Sequence, residues 1–310
     1  MLRQAENRVK IEGILSEVNL ENGSYEKDGR TIEYVRGNIK VLVTQVINGK
    51  PVENEIPVQM FSNRYTNAGK PNPAFESIMK VKNEFTSIAA AGGQEGADRV
   101  RITGADIRMN EYYDANGNLV SYPRINASFA SKIKKDDCNP EATFTIVMVI
   151  GHQDYQYNQE GEIVKDYFGN DKYVVTGLVP QYNGRLDKIN FVCSNENVIN
   201  AVRDYWEVGE TVKASGRINF SSTTETKKIE QGFGEPIVQN RTIVVNDLVI
   251  TGGSQTPLEG EYAYDHNEIQ AALAERQNRL EAEKNNPKTR TAPRPIDTNN
   301  KKAVFDGLGF

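Results

Sequence analysis

Tyr34, Arg36, Asn38 and Lys40 occupy every second position of one run, and Phe61, Arg64 and Tyr65 close another. Alternate residues of a strand share a face, so the rings and cations of the first run point the same way. The same parity puts Arg99, Arg101, Arg108, Tyr122 and Arg124 on the outward side of two later runs. Rings stack on unpaired bases at roughly 1–3 kcal/mol each while cations follow phosphates, which is what a single-stranded nucleic acid asks of a surface. Each residue alone also suits a solvated strand face; the set on one parity carries the reading. Later in the chain Tyr155, Tyr157 and Lys213 are candidates, with Tyr167, Phe168, Lys172, Tyr182, Arg185 and Arg217 around them. Lys132 and Lys134 lie between these two groups, where they would line a continuous groove.

Catalytic chemistry finds less. His152 and His266 are the only histidines and fall in different parts of the chain. No Cys-x-x-Cys, His-x-x-x-His, P-loop or Gly-x-Ser-x-Gly pattern occurs. Asp136-Asp137 reads as a solvated link after a basic run, and Asp114-x-Asn116-Gly117 as a turn, because it lacks the downstream glutamate of a calcium loop. The expectation is a protein that is not an enzyme and needs no cofactor or metal.

The elements that hold these residues occur twice. Phe61-Ser62-Asn63, a helical stretch and Val100 to Gly104 are matched by Cys193-Ser194-Asn195, a helical stretch and Val212 to Gly216. A unit longer than 100 residues is too long for a solenoid repeat, so a domain is duplicated. In the first copy a strand runs from Arg8 to Leu20, with a bend at Gly13 and turn signals at Asn22-Gly23 and Lys27-Asp28-Gly29. Val35, Gly37, Ile39, Val41 and Val43 face inward on the second strand, and Ile56, Val58 and Met60 on the third. Asn72-Pro73 opens a helix in which Phe75, Ile78, Met79, Lys82 and Phe85 fall at helical spacing, and Gly92-Gly93 ends it. Val100 and Ile102 then face inward on a fourth strand, and a hairpin turns at Asp114 to Gly117.

In the second copy strands are expected over 143–151, 173–179, 188–192, 212–220 and 242–250. A helix covers 198–208, Trp206 belongs to the core, and 221–240 is a polar excursion. Five strands with a helix between the third and fourth describe an OB-fold Greek-key barrel, in preference to a two-domain sandwich. The fold class is therefore mainly β, two tandem five-stranded barrels. Residues 1–137 form the first domain, 138–256 the second, and 257–310 a linker, a C-terminal helix and a tail. The helix covers 268–284 with Ile269, Ala272, Leu273, Arg276 and Leu280 on one side. Residues 285–302 are polar, proline-punctuated and expected to be disordered. Phe305, Asp306, Leu308 and Phe310 then form an apolar tip suited to a partner's pocket.

The net charge is -5 over 310 residues, but its distribution is uneven. Residues 1–137 carry 19 Lys+Arg against 18 Asp+Glu, and residues 138–256 carry 10 against 15. The second copy is thus the weaker polyanion binder, or a surface for self-association. No apolar run spans a bilayer, no signal peptide is visible, and Cys138 and Cys193 are expected to be reduced thiols in the cytoplasm.

With these residues in place, the chain resembles the bacterial and bacteriophage single-stranded DNA-binding proteins. Asn7-Arg8-Val9 with Gly13 and Leu15 is similar to the start of their OB-fold, and the Val100–Gly104 and Val212–Gly216 strands to the strand after their helix. The tip from Phe305 to Phe310 is similar to their C-terminal interaction peptide, with Phe310 as anchor. Bacterial members usually carry one OB-fold per chain and an aspartate-rich tip. Here two copies are fused, and Asp306 stands alone after a basic tether. A phage replication protein with tandem OB-folds is the form it resembles. The resemblance implies coating of single-stranded DNA, or RNA, in replication, recombination or repair, with partner proteins recruited by the tail. The alternative is a protein-interaction module such as a phage structural or assembly protein, which the acidic sum and the single Trp favour.

Overall fold

In the computed structural model, residues 2–166, 168–229 and 237–285 are described. The chain is mainly β, with a helix at its C-terminal end. Strands β1 (Asn7–Lys27), β2 (Arg30–Ile47) and β3 (Lys50–Asn63) form an antiparallel meander. Its two hairpins turn at Asp28-Gly29 and Asn48-Gly49, all four residues at positive φ. That backbone matches the right-handed twist of the flanking strands.

Asn22-Gly23, expected to be a turn, is continuous strand, with Gly23 opposite Tyr34. Asp28-Gly29 already closes the hairpin, so the glycine serves another purpose. A Cβ at Gly23 would lie 2.5 Å from Cζ and Oη of Tyr34, so the ring rests on bare backbone.

Helix α1 (Pro73–Glu84) starts as expected: Asn72 Oδ1 accepts from the Ala74 N–H at 3.1 Å, with Pro73 in the first turn. It stops at Phe85 rather than at Gly92-Gly93. The Asp98 N–H donates to the Thr86 carbonyl and the Thr86 N–H to Asp98 Oδ2, which holds the link extended. A four-residue helix, α2 (Ile88–Ala91), follows, and Gly92 ends it with a φ of 71°. Strands β4 (Arg99–Tyr113), β5 (Leu119–Ala127) and β6 (Phe129–Ile133) complete the first half.

Pairing closes a ring: β1-β2-β3-β5-β4 and back to β1, with β3–β5 the parallel pair. Val35, Ile39, Val41, Val43, Ile56, Val58, Met60, Val100 and Ile102 are fully buried inside it, as the alternation predicts.

The second half repeats this order. Strands β7 (Glu141–Tyr155), β8 (Tyr173–Pro180), β9 (Leu186–Cys193), β10 (Thr211–Ile229) and β11 (Ile237–Gly253) close as β7-β8-β9-β11-β10. Again the third and fifth strands are parallel, and α3 (Glu196–Tyr205) sits between the third and fourth. Asn195 caps α3 and so corresponds to Asn72 rather than to Asn63. The expected polar excursion is a hairpin whose strands stay paired from Ser221↔Val245 to Ile229↔Ile237. Trp206 is core, 3% exposed, its Nε1–H donating to the Ser254 carbonyl at 2.8 Å. Cys193 is buried and its thiol is pushed up to about 12 by desolvation; both cysteines are free.

The rings are joined in one sheet by β1 and β7, paired from Asn7↔Ile146 to Glu12↔Glu141. Helix α4 (His266–Asn285) crosses the junction. Ile269 and Ala272 pack with Leu178 and Leu186 of the second ring, while Arg276 binds Glu111 on β4 of the first. No helix among the described residues is long and apolar enough to cross a membrane.

Candidate nucleic-acid interface

The outer side of β1–β2–β3 carries a ladder of rings. Tyr25, Tyr34 and Phe61 follow one another with centroids 5.9 Å apart at both steps. Register explains the order: Gly23 and Asn63 flank Tyr34, and Phe61 stands opposite Arg36. The Arg36 guanidinium lies 5.4 Å from the Tyr34 ring centre and that of Arg64 5.6 Å from Tyr65. Phe61 and Tyr65 are each about half exposed, at 53% and 51%. Tyr25 was not apparent from the sequence, since the turn expected at Asn22-Gly23 cut β1 short of it. Its parity with Gly23 across an unbroken β1 was the available signal.

The face continues across β3 onto β5 and β4. Arg124 donates to Gln59 Oε1 at 2.8 Å and to Asn110 Oδ1 at 2.9 Å. Tyr122 stands opposite Asn110, and Arg108 opposite Arg124. Tyr34, Arg36, Lys40, Phe61, Arg64, Tyr65, Arg108, Tyr122 and Arg124 are thus gathered on adjacent strands and the loop beyond β3.

Most of these cations have carboxylate partners. Arg36 pairs with Glu21 at 2.7 Å, Arg108 with Asp106 at 2.6 Å and Arg64 with Glu33. Lys40 lies between Glu17 at 2.7 Å and Glu55 at 3.6 Å. The Glu21 hydrogen bond raises the pKa of Arg36 above its usual value. Exposed pairs of this kind are weak and screened by salt, so a phosphate can share or displace them.

Arg99 and Arg101 are not brought to this face. They lie where β4 pairs with β1 and β6. Arg101 Nε donates to Glu12 Oε1 at 2.6 Å, and Glu12 is only 1% exposed. Lys10 stands 3.8 Å from the same carboxylate, and the Asn139 N–H donates to it. Burial alone would raise the pKa of Glu12, but the bonds from Arg101 and Asn139 outweigh it and hold the carboxyl below its usual 4.5. A depressed carboxylate pKa adds stability at neutral pH that is lost as pH falls through the folded-state value. Arg101→Ala is therefore expected to lower the melting temperature at pH 7, and the gap to the wild type should narrow below about pH 4. A gap constant with pH in thermal melts would contradict this role for Glu12.

The remaining candidates are dispersed. Arg99 donates to the carbonyls of Gln94 and Ala97. Lys132 ties β6 to the end of α1, reaching the Glu84 carbonyl at 2.8 Å and Asp98 at 2.7 Å, with Phe85 beneath it. Lys134 is exposed in the link before β7. Lys213 pairs with Glu6 at 2.8 Å. Tyr155 packs edge-on against Tyr173 at 5.1 Å, whereas Tyr157 is half exposed. Tyr167 and the tip residues Phe305, Asp306, Leu308 and Phe310 lie outside the described residues. Among those described, no group of three or more His, Cys, Asp or Glu is placed to hold a metal.

Two closed, mainly β rings share one sheet, and the first bears a ladder of aromatics on its outer side. The chain belongs to the YorF family, whose model matches residues 5–286. Two solved structures are similar. One is the wild-type single-stranded DNA binding protein from Thermus aquaticus, 9% identical, covering 86% of this chain and 99% of that one at a TM-score of 0.49. The other is a deletion mutant of that protein, 11% identical, covering 83% and 97% at a TM-score of 0.46. Among curated proteins nothing matches the chain.

Proposed function

We propose that this chain is a non-enzymatic single-stranded DNA-binding protein of replication, recombination or repair, and that each ring is an OB-fold barrel. The observation that carries the proposal is the ladder of Tyr25, Tyr34 and Phe61, with exposed rings on either side of the half-buried Tyr34 and Arg36 against it. Exposed rings in series cost solvation and do no packing for the core, while unpaired bases are flat, apolar-faced partners for them. Tyr34 and Phe61 lie on the second and third strands, the face on which OB-folds bind oligonucleotides, and Tyr25 extends it onto the first. In this reading residues 1–137 and 138–256 are the two domains, the first is the principal binder, and the cations of the same face accompany the phosphates. Residues 257–310 supply α4 and a tail that recruits partner proteins in the cytoplasm.

A second reading has an observation of its own. Pairing of Arg36, Arg64, Arg108 and Lys40 with carboxylates leaves the face nearly neutral, which suits a protein partner. Fluorescence anisotropy with a labelled oligo-dT separates the two. The DNA reading expects micromolar or tighter affinity that falls as salt rises, by the release of counterions from neutralised phosphates. Equal affinity for duplex and single strand would rule it out.

A further inference from the structure

On the outer side of the second ring, β10, β11 and the end of β9 meet the connection between β7 and β8, residues 156–172. Between them is a cleft of about 340 Å3. Val192 and Val249 form its floor, paired across β9 and β11. Their sequence neighbours Phe191, Cys193, Leu248 and Ile250 belong to the interior of the ring, so both valines point outward. They are only 7% and 5% exposed, and Lys165, Asp166, Phe168 and Lys172 of the connection line the cleft with them.

Two side chains on β10 reach this floor with hydrogen-bonding capacity unspent. Arg217 stands opposite Val249 and Asn219 opposite Asp247, both facing away from the core residues Ile218 and Phe220. Arg217 Nε and Asn219 Oδ1 are enclosed, and among the described residues neither has a hydrogen-bond partner. Buried polar groups are rarely left so.

The carboxylates nearby are already engaged. Asp247 pairs with Lys172 at 2.7 Å and Asp171 with Lys165 at 2.6 Å. Asp166 accepts from the backbone N–H groups of Phe168 and Asn170. The lining sets Lys165, Lys172 and Arg217 against Asp166 and Asp247, and Asp171 beyond it pairs with Lys165, so little charge is left to hold a bare phosphate.

What complements it is a flat, neutral group with an apolar face and an edge of donors and acceptors. An Asn amide offers both, whichever way it is turned, and the Arg217 Nε–H adds a donor beside it. The geometry points to a pocket in the second ring for one unstacked base of the bound strand, its face on Val192 and Val249 and its edge on Arg217 and Asn219. This rests on the single-strand reading above and sharpens it. Stacking on the first ring is indifferent to base identity, whereas hydrogen bonds to an edge are not. The second ring would then read one base while the first holds the strand.

The test compares full-length wild type with the double variant Arg217→Met, Asn219→Ala on labelled dA, dC and dT oligonucleotides and on an abasic strand. Folding of the variant is checked by its melt. The wild type is expected to rank the three bases with a spread of roughly fivefold or more, and the variant to lose that ranking while binding the abasic strand as the wild type does. An unchanged ranking in the variant overturns the pocket and leaves the ladder's role standing. A loss of affinity equal for all strands, abasic included, overturns it in favour of a phosphate contact. If the wild type binds no single strand at all, the single-strand reading fails and the pocket falls with it.

Discussion

Tyr34→Ala combined with Phe61→Ala is expected to weaken binding of a single-stranded oligonucleotide by at least about thirtyfold while leaving the fold intact. Each ring that stacks on a base contributes about 1–3 kcal/mol. Two independent rings would contribute about 2–6 kcal/mol, and every 1.4 kcal/mol is about tenfold in affinity. These rings are neighbours in one ladder, 5.9 Å apart, so their effects need not add, and the lower end of the range is the firmer expectation. Phe61 is 53% exposed, and Tyr34, though half-buried over Gly23, lies outside the core, so thermal stability should fall only modestly. Val46→Ala is the control: that residue is exposed near the β2–β3 turn and should leave affinity unchanged. A double variant that melts like the wild type and binds within threefold of it would remove the ladder from the binding mechanism. The Arg101 and Tyr122 side chains do not offer as clean a test, because Arg101 compensates a buried carboxylate on another side of the ring.

Gly37→Ala is expected to destabilise the first ring by roughly 2–6 kcal/mol. Two costs combine, each about 1–3 kcal/mol: the strained backbone and the overpacked contact. Gly37 has a φ of 143°, outside the regions open to side-chain-bearing residues. A Cβ there would stand 1.9 Å from the Asn19 carbonyl oxygen on β1, which is backbone and cannot swing aside. Relief would mean parting β1 from β2 at Leu20↔Gly37, three residues from Tyr34. The loss is a large share of the 5–15 kcal/mol that typically separates folded from unfolded chains. Thermal or urea unfolding reads it directly, and oligonucleotide affinity should fall along with stability. A variant that melts within about two degrees of the wild type would show that β1 and β2 do not approach so closely at this point, given that 1 kcal/mol moves the melting temperature by about 2–4 °C in chains of 150–250 residues.

Much of this architecture was legible from local pattern. Alternation of Val35, Ile39, Val41 and Val43 marked the buried face of β2, because a strand turns successive side chains to opposite sides. Asn72-Pro73 marked the start of α1, since the cap satisfies a free N–H and the proline has none to satisfy. Asp28-Gly29 marked a hairpin because both residues tolerate positive φ. Asn22-Gly23 carried the same local signal and misled, since tertiary structure needed a bare backbone under Tyr34 instead. The early end of α1 had a similar cause: the Thr86–Asp98 bonds, twelve residues apart, hold the link extended.

The candidate site divides along the same line. By itself the sequence determined which residues are rings and cations and which share a strand face, because both follow from composition and a period of two. It also determined that the unit occurs twice. Tertiary structure alone decided which faces adjoin. Ring closure put Arg124 beside Gln59, 65 positions away, and Arg101 beside Glu12, 89 positions away. It also seated a carboxylate against most of the cations that had looked free, and brought Lys165, Asp166, Phe168 and Lys172 to the cleft of Arg217 and Asn219. Long side chains choose partners by the register of strands distant in sequence, and register is a property of the closed rings rather than of any one segment.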